Sequence, residues 1–128
     1  MTSMQAVGVY IAVNILLVVY LAIRVVSQRL RTKVGIGDGG DEKLGLAIRV
    51  HGNATENIPV AMAGLLSLAF LSAPALWIHI TGAAFTLGRL LHAFGFGSGV
   101  IIFRQIGMML TWLALLGLAG AILWQVFA

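Results

Sequence analysis

Met4-Gln5-Ala6-Val7-Gly8-Val9-Tyr10-Ile11-Ala12-Val13-Asn14-Ile15-Leu16-Leu17-Val18-Val19-Tyr20-Leu21-Ala22-Ile23 is a run without a charged residue, broken only by the amides of Gln5 and Asn14. A helix of this length rises roughly 30 Å, the thickness of a bilayer's hydrocarbon core. The stretch therefore predicts a transmembrane helix. It carries no positive leading region and no small-residue cleavage pattern follows it, so it is expected to stay in the protein as a span.

The rest of the 128 residues fits that beginning, with 60% hydrophobic and 9% charged residues and a mean hydropathy of +1.03. This is far from a soluble average and points to a single membrane domain over residues 1–128. There is no cysteine, which excludes disulfides, thiolate metal sites and a cysteine nucleophile, and no metal is expected. A pI near 10.4 is high enough for nucleic acid, but the eight Lys and Arg residues flank or interrupt apolar runs and do not cover a polar face. No nucleic-acid partner is expected.

Outward from the opening run, Arg24, Arg29, Arg31 and Lys33 follow the first span. Gly35-Ile36-Gly37-Asp38-Gly39-Gly40-Asp41-Glu42 then ends the helix in a polar loop, with Asp38 or Asp41 as cap for the next. Further apolar runs, separated by Ser72-Ala73-Pro74 and by the Gly95, Gly97 and Gly99 cluster, give approximate spans at 4–27, 44–71, 75–96 and 101–127. The expected fold is an all-α integral membrane protein, a four-transmembrane-helix up-down bundle. Seven of the basic residues, Arg24, Arg29, Arg31, Lys33, Lys43, Arg49 and Arg104, fall at span ends joined by the first and third loops. By the positive-inside rule those loops are cytoplasmic and both termini lie on the opposite side.

Within the second span, Arg49, Asn53 and Glu56 recur at i, i+4 and i+7 and so share one helix face. A lone carboxylate inside an apolar run is costly unless partnered or used. Glu56 lies 17 residues before Ala73 at the hairpin tip and Arg89 lies 16 after it, which sets the two at similar depth on consecutive antiparallel helices. A structural Glu56–Arg89 ion pair is expected, either as a lock alone or as a lock that leaves one carboxylate oxygen for a ligand's ammonium. Arg89, His92 and Phe96 descend the third helix, and Arg104 stands in the first turn of the fourth, where free N–H groups and the helix dipole favour an anion. Together with Arg29 and Arg31, these residues suit a small zwitterion with more than one carboxylate. His79 reads as a satisfied interfacial histidine with a proton-carrying role open, and His51 turns off the motif face.

Arg49-x-x-x-Asn53-x-x-Glu56-x-x-Pro59, followed by Gly88-Arg89-Leu90-Leu91-His92 and then Arg104, resembles the MAPEG family, the membrane-associated proteins of eicosanoid and glutathione metabolism. Gly37-Asp38-Gly39-Gly40 is similar to its bacterial branch. The resemblance implies a homotrimer in a bacterial inner membrane, with glutathione sites between subunits, open to the cytoplasm. It implies glutathione as co-substrate, held by Arg29 or Arg31, Arg49, Asn53, Glu56 and His92, with Arg104 catalytic beside the sulfur. The implied activity is that of a microsomal-type glutathione transferase or peroxidase acting on lipophilic electrophiles from the bilayer. Phe96 stands where synthase members commonly carry tyrosine, and the segment Arg104-Gln105-Ile106-Gly107-Met108 lacks the serine or tyrosine some members place near the thiol. These departures speak against a specialised eicosanoid synthase. A non-catalytic lipid- or ligand-binding scaffold of the same family is the alternative. A small four-helix exporter is disfavoured, because it would call for an acidic residue in the first helix.

Overall fold

The computed structural model describes residues 1–127 and consists of four helices, α1 (Ser3–Thr32), α2 (Glu42–Phe70), α3 (Ala75–Ser98) and α4 (Ile101–Phe127). Local chemistry accounts for the ends. Thr2 caps α1 in a capping box, its hydroxyl accepting from the Gln5 N–H while the Gln5 side chain accepts from the Thr2 N–H. Helix α1 ends on Lys33 in the left-handed region (φ 58°), and Gly37, Gly39 and Gly40, all at positive φ, carry the chain through a turn that L side chains resist. Asp41 then caps α2 by accepting from the Leu44 N–H at 2.9 Å. Its carboxylate also meets Arg31 at 2.5 Å, so the loop is tied at both ends.

Helices α1 and α4 are each long and apolar enough to cross a bilayer. Helices α2 and α3, at 29 and 24 residues, are long enough, but Arg49, Glu56, Arg89 and His92 interrupt them. Helix α2 continues through Pro59.

The pairings α1–α2 and α3–α4 are the most extensive, α1 also meets α3, α2 meets α4, and α1 and α4 do not touch. Around the bundle the order is therefore α1, α2, α4, α3, and the consecutive helices α2 and α3 face each other across its short diagonal. The core lies on that diagonal. Helix α2 supplies Val50, Ala54, Ile58, Ala61, Leu65 and Leu68 at spacings of three or four, one apolar stripe. Helix α1 adds Val7, Leu17 and Leu21, α3 adds Ile78 and Phe85, and α4 adds Ala114 and Leu118.

Close contacts at glycines set the helix distances. A Cβ on Gly107 would fall 2.7 Å from the Gly88 carbonyl oxygen and closer still to the His92 backbone nitrogen. One on Gly88 would fall 2.9 Å from the Gly107 carbonyl oxygen, and one on Gly95 would collide with the Arg104 backbone. Helices α3 and α4 thus touch backbone to backbone, as small residues permit in membrane bundles. At the other end, Tyr10 of α1 packs its ring over Gly82 and its hydroxyl pairs with His79 Nδ1 at 3.0 Å. Between these, the fully buried Asn14 donates to Thr86 Oγ1 at 2.9 Å, a polar bond across helices.

Candidate functional site

The glycine seam fixes where the polar residues gather. Gly107 against His92 and Gly95 against Arg104 bring the first turns of α4 onto the last turns of α3, and α2 closes the third side. Between them lies a cavity of about 440 Å³ lined by Arg49 and Asn53 from α2, His92 and Phe96 from α3, and Arg104, Gln105 and Met108 from α4. Four of the residues singled out by spacing, Arg49, Asn53, His92 and Arg104, thus line one cavity.

Its walls are ordered by stacking. The Arg104 guanidinium sits over the Phe96 ring at 4.8 Å, a cation–π contact, and the His92 ring lies 5.0 Å from the same ring. Behind His92, the buried Arg89 places Nη2 3.0 Å from His92 Nδ1 and Nη1 3.8 Å from Met108 Sδ. Guanidinium only donates, so His92 Nδ1 must accept, which leaves the imidazole neutral with its proton on Nε2. Arg89 therefore fixes the tautomer of a cavity residue. Asn53 Oδ1 is buried without a hydrogen-bond partner, an unused acceptor on a side chain of the cavity wall. No carboxylate lines the cavity. Two guanidinium groups, an imidazole and the side-chain amides of Asn53 and Gln105 suit a ligand bearing carboxylates and amide or ammonium N–H groups.

The expected pair of Glu56 with Arg89 does not form within the chain. Among the described residues the ion pair is Arg31–Asp41, and Arg89, 1% exposed, turns to His92 and Met108. Residue counts along two helices do not fix which of their faces meet. Glu56 is two residues from both Ala54 and Ile58, which are buried, so it points about 200° away from the core and is exposed. Arg29 and Arg31 do not reach the cavity either. Arg29 donates to the Val34 and Gly37 carbonyls at 3.1 and 3.0 Å, and Arg31 holds Gln28 and Asp41. Both hold the loop that precedes α2. Arg31, with its hydrogen bond the largest influence and the Leu44 N–H next, keeps the Asp41 carboxyl below its ordinary pKa.

Spacing alone missed Gln105 and Met108 as lining residues and Arg89 as the support for His92. The signal for the latter was present in Gly88, Gly95 and Gly107, whose lack of side chains marks a close helix approach. It also missed a larger groove of about 840 Å³ between α1, α2 and α3, with which the polar cavity shares Phe96 as a wall. Among the described residues no three His, Asp or Glu side chains are placed to hold a metal ion.

The profile of the MAPEG family matches residues 7–124. The chain belongs to the MAPEG family. The inner membrane protein YecN of Escherichia coli K12, and that of an O6:H1 strain of the species, are each 39% identical to it over 117 residues, 91% of this chain and 89% of theirs. No solved structure matches. As a MAPEG member with such relatives, the chain is a membrane protein, and its exposed apolar faces follow from that. Leu16 on α1 and Leu116 on α4 are 69% and 70% exposed, a burden in water but not against lipid or a neighbouring subunit.

Proposed function

We propose that this MAPEG protein binds glutathione in the cavity between α2, α3 and α4 and acts as a microsomal-type transferase or peroxidase on lipophilic substrates. The observation that carries the reading is the convergence of Arg49, Asn53, His92 and Arg104 on one cavity in a member of this family. Arg49 offers a bidentate site for a carboxylate, Asn53 Oδ1 accepts an N–H, and His92 Nε2–H donates. Arg104, at the start of α4, lies where a guanidinium and free helix N–H groups favour a thiolate over a thiol. The thiolate sulfur then attacks an electrophilic carbon, forming a C–S bond as the leaving group departs with the electron pair. With a hydroperoxide it attacks the distal oxygen, releasing the alcohol, and a second glutathione reduces the resulting sulfenic acid to disulfide and water.

In this proposal all four helices span the bilayer of a bacterial inner membrane, with the first and third loops on the cytoplasmic side and both termini on the other. The assembly is a homotrimer. Supporting it are Glu56, an exposed carboxylate within an apolar helix that needs a partner from outside the chain, and the exposed apolar faces of α1 and α4. Glu56 then holds the glutathione ammonium or a neighbour's cation. Arg29 or Arg31 completes the carboxylate contacts at a subunit boundary, Arg31 by exchanging Asp41 for the ligand.

Calorimetry of the detergent-solubilised protein with glutathione tests the reading, and absence of binding refutes it. Arg104→Ala is expected to lower conjugation of a general electrophile far more than it lowers binding. Binding that persists with no turnover in the wild type would establish the scaffold reading, which the stacking of Arg104 on Phe96, in place of a free guanidinium, favours.

A further inference from the structure

The larger groove has a different character from the polar cavity. Its length is apolar, with Leu17 and Leu21 of α1, Leu46 of α2 and Leu90 of α3 along it. Its mouth is cationic, formed by Arg24 and Lys43, with Gln28 beside them. The mouth lies where α1 runs on past its apolar stretch and where α2 begins, the level at which a span meets lipid headgroups. No acidic residue lines the groove, and among the described residues neither cation has a carboxylate partner. Arg24 makes one 3.3 Å hydrogen bond to the Tyr20 hydroxyl and passes over Gly97 near the end of α3. That position suits the helix dipole but leaves most of its donors unused. A volume of about 840 Å³ is within the range of small-molecule sites.

We propose that this groove holds one anionic phospholipid of the surrounding bilayer, its phosphate between Arg24 and Lys43 and one acyl chain along the leucines. Charge decides the occupant. An acyl chain gains little by leaving the bilayer for an equally apolar groove, so selection rests on the headgroup, and two unpaired cations at the interface select a phosphate that carries net charge over a zwitterionic one. The site is separate from the glutathione cavity, and the two meet only at the Phe96 ring.

Native mass spectrometry of the protein with phosphatidylglycerol or phosphatidylcholine tests the assignment. One phosphatidylglycerol is expected to stay bound at energies that strip phosphatidylcholine. Arg24→Gln with Lys43→Gln should weaken phosphatidylglycerol about 30-fold, from roughly fivefold per cation, and leave phosphatidylcholine unchanged. Ala93→Phe, which fills the groove and keeps the charges, should also displace the lipid. Lys33→Gln, a charge outside the groove, should leave binding as in the wild type. Equal retention of the two lipids, wild-type binding by the double variant, or an equal loss in Lys33→Gln would overturn the assignment. Glutathione titration of the same variants separates it from the proposed function, because that binding should survive in all of them.

Discussion

Gly107→Ala is the sharpest perturbation the fold offers. In an isolated helix the change is favourable by about 1 kcal/mol, because alanine restricts the unfolded chain. Here the new methyl would lie 2.7 Å from the Gly88 carbonyl oxygen and against the His92 backbone. No flexible side chain can move aside, so α3 and α4 must separate along the seam that positions Arg104 by His92. Overpacking of this kind costs typically 1–3 kcal/mol, occasionally more, and the rigid backbone partners put this case at the upper end. The net expectation is a loss of about 2 kcal/mol after the propensity gain is subtracted. Gly117→Ala and Gly120→Ala are the controls, on the same helix with nothing within 4 Å, and should be neutral or slightly stabilising. Thermal unfolding in detergent, followed by circular dichroism, measures all three. Gly107→Ala melting at or above the wild-type temperature would refute the argument that backbone contact sets the α3–α4 distance.

Three further outcomes are expected. Asn14→Ala and Thr86→Ala should each destabilise the bundle, and their double-mutant cycle should show coupling of about 0.6 kcal/mol, as for other polar bonds between membrane helices; zero coupling would mean the 2.9 Å bond contributes nothing. The Asp41 carboxyl has its pKa lowered in the folded protein from 3.8, so its contribution is fully present above that value and is lost as pH falls below it through the folded pKa. Asp41→Asn keeps a capping side chain but not the Arg31 bridge, and should flatten the acid limb of loop protection in hydrogen exchange. Glu56→Gln should leave the helical content and melting of the dissociated chain unchanged, since the carboxylate is exposed and unpaired with Arg89, and, on the proposed assembly, should lower the trimer fraction in native mass spectrometry. A drop in melting with assembly intact would reinstate a Glu56 contact inside the chain.

The helices and the membrane were legible because both depend on one-dimensional quantities, apolar run length and turn chemistry. The run Met4–Ile23 lies within α1, and Asp41, one of two candidates, is the cap of α2. Family membership was legible from Arg49, Asn53, Glu56, Arg89, His92 and Arg104 at their spacings. Arg49, Asn53, His92 and Arg104 line one cavity, while Arg29, Arg31, Glu56 and Arg89 do not line it.

What only the tertiary structure decided is lateral. Residue counts give depth along a helix axis, but not which helices stand edge to edge, because that depends on which faces approach most closely. Gly88, Gly95 and Gly107 let α4 settle onto α3, and α2 and α3 are left across the diagonal from each other. Glu56 consequently faces outward while Arg89 turns inward to His92 and Met108. The polar loop likewise captures Arg29 and Arg31, since free carbonyls and the Asp41 carboxylate lie within their reach.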